Sequence, residues 1–280
     1  MSDKNQKSPV RSDDKTPEMP DVLRVANLQW NVRKRDFLGN IDIIDRLISK
    51  ALDRNCNLIS LPEMWSQSFC GQDLAKEAGF LENRLEALGA RARKHDLWIA
   101  GGTLPEPAPD GRVYNTFHFI DPAGKVRYRF RKVRLFPFAR ETQYFCPPPS
   151  DQFPDVLVSG NWKVGAGVCF DIRFPDLFQR QMQQGANLFF IPSQIPMERI
   201  EHFVVLSRAR ALENMAYVIA TNRCGAGNSA VFPGKSLIVD PLGMPISELG
   251  SDEDLGIGTI DAISLIEIRT KMPFLTLSPS

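Results

Sequence analysis

The residue best placed for covalent chemistry is Cys169, in the run Val168-Cys169-Phe170-Asp171-Ile172-Arg173-Phe174-Pro175. An apolar, glycine-bearing stretch from Trp162 to Val168 reads as a buried strand, and Asp176 to Gln184 read as a helix. A thiol between a strand end and a helix start can be exposed in a cleft and have its pKa lowered there. Most buried cysteines are inert core residues, and position alone does not separate the two cases. A nucleophilic thiol also needs a base, and the chain has only 3 histidines. His95 sits near a helix end, His118 within a strand and His202 at a helix start, and none lies in a thiol-protease signature. Glu63, at the exit of the short apolar strand Leu58 to Leu61, is a carboxylate that could serve; on its own it reads equally as a cap or a surface charge.

Parity singles out a lysine. Lys125 to Arg134 contains six basic residues, in which Val126, Tyr128 and Phe130 alternate with Arg127, Arg129 and Arg131. Period two places the aromatics inward and the arginines outward, and Lys132 continues the inward series if no bulge intervenes near residue 131. An inward lysine is costly unless paired, which marks it as functional, whereas snorkelling to the surface would leave it structural. Two other patterns point elsewhere. Gly225-Ala226-Gly227-Asn228-Ser229-Ala230 fits a dinucleotide fingerprint formally, but Pro233-Gly234 forbids the helix that motif must open. Arg210 and Glu213 share a helix face with Phe203 and Leu206, which predicts a buried ion pair of architectural kind.

The elements that must position these residues alternate. Leu23 to Leu28 is a strand, and Phe37, Ile41, Ile44, Ile48 and Ala51 form one face of a helix. Leu81 to Lys94 is a second helix; Leu97 to Thr103 and Val113 to Asp121 are strands around a Pro/Gly-rich turn, Pro105 to Gly111. After Cys169 come the helix Asp176 to Gln184, the strand Leu188 to Ile191, the helix Ile200 to Met215 and the strand Tyr217 to Asn222. Two hairpin-like strands, Ser236 to Val239 and Leu255 to Ile260, complete the pattern. Alternation of this kind implies helices covering a sheet, an α/β protein.

Composition bounds the partners. A chain of 280 residues, 43% hydrophobic, can bury a large core, and no Gly/Ser linker or repeat divides it. A net charge of +1 argues against a domain-wide footprint for nucleic acid or anionic lipid, so a small molecule is the expected partner. The 5 cysteines, without any Cys-x-x-Cys spacing, suggest neither a disulfide framework nor a metal site and fit a reducing, cytoplasmic setting. No apolar run reaches the length needed to span a membrane. Residues 1–21 are polar and proline-bearing and read as a disordered tail ahead of one domain, 22–280.

The ordered pieces Leu61-Pro62-Glu63, Arg131-Lys132-Val133-Arg134-Leu135-Phe136 and Cys169-Phe170-Asp171-Ile172-Arg173-Phe174-Pro175-Asp176 resemble the Glu, Lys and Cys segments of the nitrilase superfamily of carbon-nitrogen hydrolases. Tyr114-Asn115-Thr116, Glu141 and Arg208 to Asn214 match as well, so the resemblance runs from about Val22 to Ile268 and is nearest the omega-amidase-like branch. It implies a four-layer α-β-β-α sandwich and a cofactor-free amidase. In that scheme Glu63 is the base, Cys169 attacks an amide, and Lys132 with the backbone N–H of Phe170 holds the oxyanion, while Glu141 helps position Lys132. It also implies a homodimer, or a larger even assembly, through the helices after Phe174 and Ile200. Arg134 stands where many members carry His, and Cys146-Pro147-Pro148-Pro149 replaces a Gly-bearing loop; these departures bear on the pocket wall.

Arg173 decides what the substrate is. If its guanidinium reaches the site, it suits bidentate capture of a carboxylate, and the substrate is a short dicarboxylic or 2-oxo acid carrying a terminal amide. If it pairs with Asp171 or Asp176, it is structural. A larger peptide-like amide of the deaminated-glutathione type, an N-carbamoyl substrate and a silent binding protein on the same fold are the alternatives. A nitrile fits less well, because Asp-x-Arg-Phe-Pro is more typical of amidases.

Overall fold

The computed structural model describes residues 16–277 apart from 140, 154, 228 and 229. Its first half holds strands β1 (Val22–Gln29), β2 (Leu58–Ser60), β3 (Trp98–Pro107), β4 (Val113–Ile120) and β5 (Val126–Arg131), with helices α1 (Phe37–Leu52), α2 (Leu74–Ala78), α3 (Leu81–His95) and α4 (Glu141–Tyr144). Its second half holds β6 (Leu157–Ser159), β7 (Trp162–Ala166), β8 (Leu188–Ser193), β9 (Tyr217–Asn222), β10 (Cys224–Ala226), β11 (Val231–Pro233), β12 (Leu237–Val239), β13 (Pro245–Glu248) and β14 (Asp254–Asp261). Helices α5 (Pro175–Gln183), α6 (Ile200–Asn214) and α7 (Ala262–Lys271) accompany them.

Two six-stranded sheets result, ordered β14-β1-β2-β3-β4-β5 and β13-β12-β9-β8-β7-β6. Each is built around a parallel trio, β1-β2-β3 in one and β7-β8-β9 in the other, with antiparallel strands outside. Strand alternation makes the layers. On β8, Leu188 and Phe190 turn to the opposite sheet, and Phe189 and Ile191 to the helices. Phe190 packs 5.8 Å from Phe117 and 5.4 Å from Phe119, joining the sheets. Ile44, Leu47 and Ile48 of α1 and Leu85, Leu88 and Ala92 of α3 cover one outer face; Leu177, Phe178 and Phe203 from α5 and α6 cover the other. The expected four-layer sandwich is therefore the fold.

Local sequence explains the element ends. Asp36 caps α1 by accepting from the Gly39 N–H at 2.9 Å, Pro175 occupies the first turn of α5, and Asp261 caps α7 through Ile263. On either side of the glycine-bearing run after Cys224, β10 and β11 pair antiparallel, and no helix opens there among the described residues.

Some expectations change. The strand after Leu97 continues to Pro107, through the first residues of the predicted turn, because Leu104 to Pro107 pair with Val113 to Thr116. Ser236–Val239 and Leu255–Ile260 are not partners. β12 pairs with β13, whose residues are mostly exposed and lack an alternating signal, and β14 pairs with β1 in the other sheet. The end of the expected 1–21 tail is packed. Met19 is buried with its N–H on Ser159 Oγ (2.9 Å), and the Pro20 carbonyl accepts from Trp162 Nε1 (2.8 Å). Residues 1–15 lie outside the described residues.

Candidate active site

Glu63 is placed by the backbone around it. The chain leaves β2 at Ser60 and passes Gly102, whose φ of +55 and 2.1 Å clearance from an added Cβ to the Pro62 carbonyl admit only glycine. The register of β3 shifts between Ala100 and Thr103, which aims Thr103 Oγ1 at the Met64 N–H, 2.9 Å away. Met64 takes a left-handed φ of 48. The Glu63 side chain, fully buried, is then held at both oxygens: Oε1 accepts from Asn115 Nδ2 (2.8 Å) and Lys132 Nζ (3.1 Å), and Oε2 from the Gln194 N–H (3.0 Å).

Lys132 does continue the inward series of β5. Tyr128, Phe130 and Lys132 are buried, and the only register shift against β4 lies at Phe119/Ile120, away from residue 131. Its backbone N–H bonds the Asn115 carbonyl at 2.8 Å, so Asn115 positions both Lys132 and Glu63. The ammonium donates to Glu141 Oε1 at 2.9 Å, and Glu141 Oε2 accepts from the Phe136 N–H at 2.8 Å. Glu141 thus links the Lys132 ammonium to the backbone at Phe136.

Cys169 opens a tight turn, Cys169–Arg173, with a left-handed φ of 50. For a side chain with a Cβ that conformation costs about 1–2 kcal/mol and must be imposed from outside. Asp171 imposes it. The buried carboxylate accepts from the N–H groups of Val168 (3.0 Å) and, across the site, Arg134 (2.7 Å) and Val133 (3.4 Å). One side chain therefore ties the cysteine turn to the residues that follow Lys132.

Electrostatics follow from burial. Loss of solvent pushes Glu63 above the usual carboxylate range, against the pull of Lys132. Burial pushes the Cys169 thiol well up, and the Glu63 charge adds to that, so the resting sulfur keeps its proton. Burial also works against the Lys132 ammonium, but the charges of Glu63 and Glu141 outweigh it and hold its pKa well above normal. The cluster can pass a proton between Cys169 and Glu63 beside a fixed cation.

A cavity of about 940 Å³ is lined by Glu63, Glu141, Cys169, Phe170 and Arg173. Arg173 is exposed and pairs with neither Asp171 nor Asp176; its guanidinium meets His202 Nδ1. Arg134 takes Asp176 instead, at 3.4 Å, and neither it nor residues 146–149 line this cavity. The sequence departures at those positions therefore do not shape its wall. The Arg210–Glu213 pair forms, with Arg210 buried and Glu213 partly exposed. No group of three or more His, Cys, Asp or Glu among the described residues is arranged to hold a metal. No helix among them is long and apolar enough to cross a membrane. Sequence reading missed Asp171 as an anchor, Gln194 as a partner of Glu63, and Arg223, which also lines the cavity.

Glu63, Lys132 and Cys169 thus meet at the ends of strands in a four-layer sandwich, and comparison with known proteins gives the class of protein. Residues 24–270 match the carbon-nitrogen hydrolase family, and the chain belongs to it. That family is the nitrilase superfamily, and the chain falls in its omega-amidase-like branch. It is 29% identical to a 2-oxoglutaramate amidase of Bacillus subtilis, over 89% of this chain and 95% of the relative. It is 30% identical to an omega-amidase of Xenopus tropicalis, over 84% and 87%. An amidase from Nesterenkonia sp. AN1, solved with acrylamide joined to its active site cysteine by Michael addition, superposes with a TM-score of 0.79 at 27% identity, covering 91% of this chain and 100% of that one.

The anchoring role of Asp171 is measurable. Asp171→Asn replaces a carboxyl group, whose pKa burial pushes up to about 7, by an amide with one acceptor oxygen for three backbone donors, and a buried donor left unpaired costs about 1–3 kcal/mol. Thermal unfolding should show a clear loss of Tm, and kcat should fall because the Lys132 and Cys169 segments loosen together. An unchanged Tm and kcat would show that the turn holds without it.

Proposed function

We propose that this protein is an amidase that hydrolyses the terminal amide of a small carboxylate-bearing acid, a dicarboxylic acid monoamide or its 2-oxo counterpart, to acid and ammonia. One observation carries the reading: Glu63, Lys132 and Glu141 form a closed, buried charge cluster beside Cys169, at a cavity that also presents arginine. Glu63 takes the thiol proton as Sγ bonds to the amide carbon. The Lys132 ammonium and the Phe170 N–H hold the resulting oxyanion. The C–N bond then breaks as Glu63 returns the proton to the leaving nitrogen, and ammonia departs from a Cys169 thioester. Water, deprotonated by Glu63, attacks that thioester and frees the acid and the thiol. The scheme calls on no metal or organic cofactor.

The names of the relatives support the substrate class, and Arg173 supplies a recognition group. With His202 as its partner and no carboxylate among the described residues paired with it, its guanidinium is available to a substrate carboxylate. The cavity volume, near the top of the roughly 300–1,000 Å³ range of small-molecule sites, favours one second reading, a larger peptide-like amide with the same catalytic residues. We place the enzyme in the cytosol, where its five unpaired cysteines fit a reducing compartment, and read residues 22–280 as one catalytic domain.

Removing the roles one at a time tests the chemistry. Cys169→Ala should abolish hydrolysis, while Cys56, Cys70, Cys146 and Cys224 each tolerate Ala. Glu63→Gln and Lys132→Ala should lose at least about a hundredfold in kcat. A folded variant of any of these three with near-normal kcat removes that residue from the scheme.

Substrate choice is read from kcat/KM on short monoamides, uncharged amides of equal length, a nitrile, an N-carbamoyl amino acid and deaminated glutathione. A carboxylate should raise kcat/KM, and Arg173→Met should shrink that preference. Equal rates on charged and uncharged amides would leave only the reaction class.

We also propose a homodimer, or an even multiple of one, through α5 and α6. Helix α6 is apolar on both sides: Ile200 and Phe203 are buried, yet Val205 and Leu212 are 62% and 56% exposed, with Leu242 and Met244 exposed alongside. Light scattering at micromolar concentration should give twice the 31.5 kDa chain mass or more. A monomer under those conditions contradicts the assembly.

A further inference from the structure

Arg223, just after β9, is 2% exposed, yet it lines the cavity. Each of its hydrogen bonds goes to a neutral group. Nη1 donates to Ser68 Oγ (3.1 Å) and Gln194 Oε1 (3.4 Å), Nη2 to Asn31 Oδ1 (2.6 Å) and the Ala226 carbonyl (3.2 Å), and Nε to the Cys224 carbonyl (3.4 Å). The Phe232 ring lies 4.4 Å from the guanidinium carbon. No carboxylate among the described residues reaches it, and burial pulls its pKa down to about 10.

Another enclosed arginine has its charge answered: Arg210, 4% exposed, pairs with Glu213. Arg269 donates to the carbonyls of Asn214 and Met215, and burial pulls its pKa down to about 10 as well, but it does not line the cavity. Arg223 has no carboxylate partner among the described residues and does line it. A buried cation without a counter-charge is expensive, and this one faces the space that substrate enters.

Gln194 sets the reach. Its N–H bonds Glu63 Oε2 and its side-chain oxygen bonds Arg223 Nη1, so one glutamine spans from the catalytic carboxylate to the guanidinium. Between those two atoms lie as many covalent bonds as between the amide carbon and a carboxylate oxygen of a five-carbon monoamide. We infer that Arg223 is a specificity-determining residue, seating the substrate carboxylate inside the cavity while the amide lies at Cys169. Exposed Arg173 meets the anion nearer to solvent, where its charge is screened. The inference rests on the amidase reading and deepens it.

The test compares glutaramate, a five-carbon monoamide, with pentanamide, its uncharged analogue, in wild type, Arg223→Gln and Arg223→Lys. Gln keeps hydrogen-bonding capacity toward Ser68 and Asn31 and removes the charge; Lys keeps the charge and loses the fork. Arg223→Gln should lose about thirtyfold more kcat/KM on glutaramate than on pentanamide, chiefly through KM, the scale of breaking a hydrogen-bonded charge pair. Arg223→Lys should fall between. Competitive inhibition of pentanamide hydrolysis by glutarate should weaken by a similar factor in Arg223→Gln. Equal losses on both amides, or undiminished glutarate inhibition, would make Arg223 a tether for the surrounding loops and overturn the inference alone. A wild-type enzyme with no preference for glutaramate would instead remove the substrate reading, and this inference with it. Should Arg223→Gln not fold, Arg223→Lys carries the same comparison against the same outcomes.

Discussion

One ammonium enclosed by two carboxylates is the constraint on which the rest of the molecule depends. Lys132 is bonded to Glu63 and Glu141, all three buried, so the cluster holds one more acid than base before Cys169 is counted. Two anions cannot both be answered by one cation in a medium that excludes water, and burial accordingly raises the proton affinity of Glu63. The same exclusion keeps Cys169 a thiol at rest. A proton can then move from sulfur to carboxylate with no change in the net charge of the cluster, which is the transfer the proposed mechanism calls on. Removing one member would strand a buried charge, at a cost of about 3–5 kcal/mol.

Holding that cluster costs local strain, and the strain is met by contacts distant in sequence. Met64 and Cys169 both take left-handed φ values, the one directly after Glu63 and the other at the proposed nucleophile. Met64 is held by Thr103, which a register shift in β3 brings round; Cys169 is held through Asp171, which reaches Val133 and Arg134. Neither turn has the glycine that would make it easy. Their conformation exists because the tertiary structure over-determines it.

This explains which parts of the protein could be read from its sequence. Helices α1 and α3 and the strands flanking Cys169 were legible because one apolar face repeats at a fixed period. Lys132 was legible for the same reason, since strand parity alone turned it inward beside Tyr128 and Phe130. The polar edge strand β13 carries no such period, and the pairing of β14 with β1 joins residues too far apart for local pattern to reveal. Asp171 lay in plain view within the cysteine motif, but its three partners are backbone N–H groups, which no side-chain spacing encodes. Gln194 and Arg223 were missed for a related reason: each looks like an ordinary polar residue at a strand end until the second sheet places it against the first.

That placement is the deeper architectural point. Glu63 follows the middle strand of one parallel trio and Gln194 the middle strand of the other, and they clasp each other twice, Gln194 N–H to Glu63 Oε2 and Gln194 Nε2 to the Glu63 carbonyl at 2.7 Å. The carboxyl ends of parallel strands are where open α/β sheets present their ligands. Here two such ends converge, one bringing Glu63 and the other, through Gln194, a link to a buried guanidinium. The aromatic contacts of Phe190 with Phe117 and Phe119 press the same two sheets together. Sheet packing and catalytic chemistry therefore share one seam: the apolar layer that closes the sandwich is also what keeps water from the charges at its edge, so the site can be as dry as its proton affinities require only while the sheets stay closed.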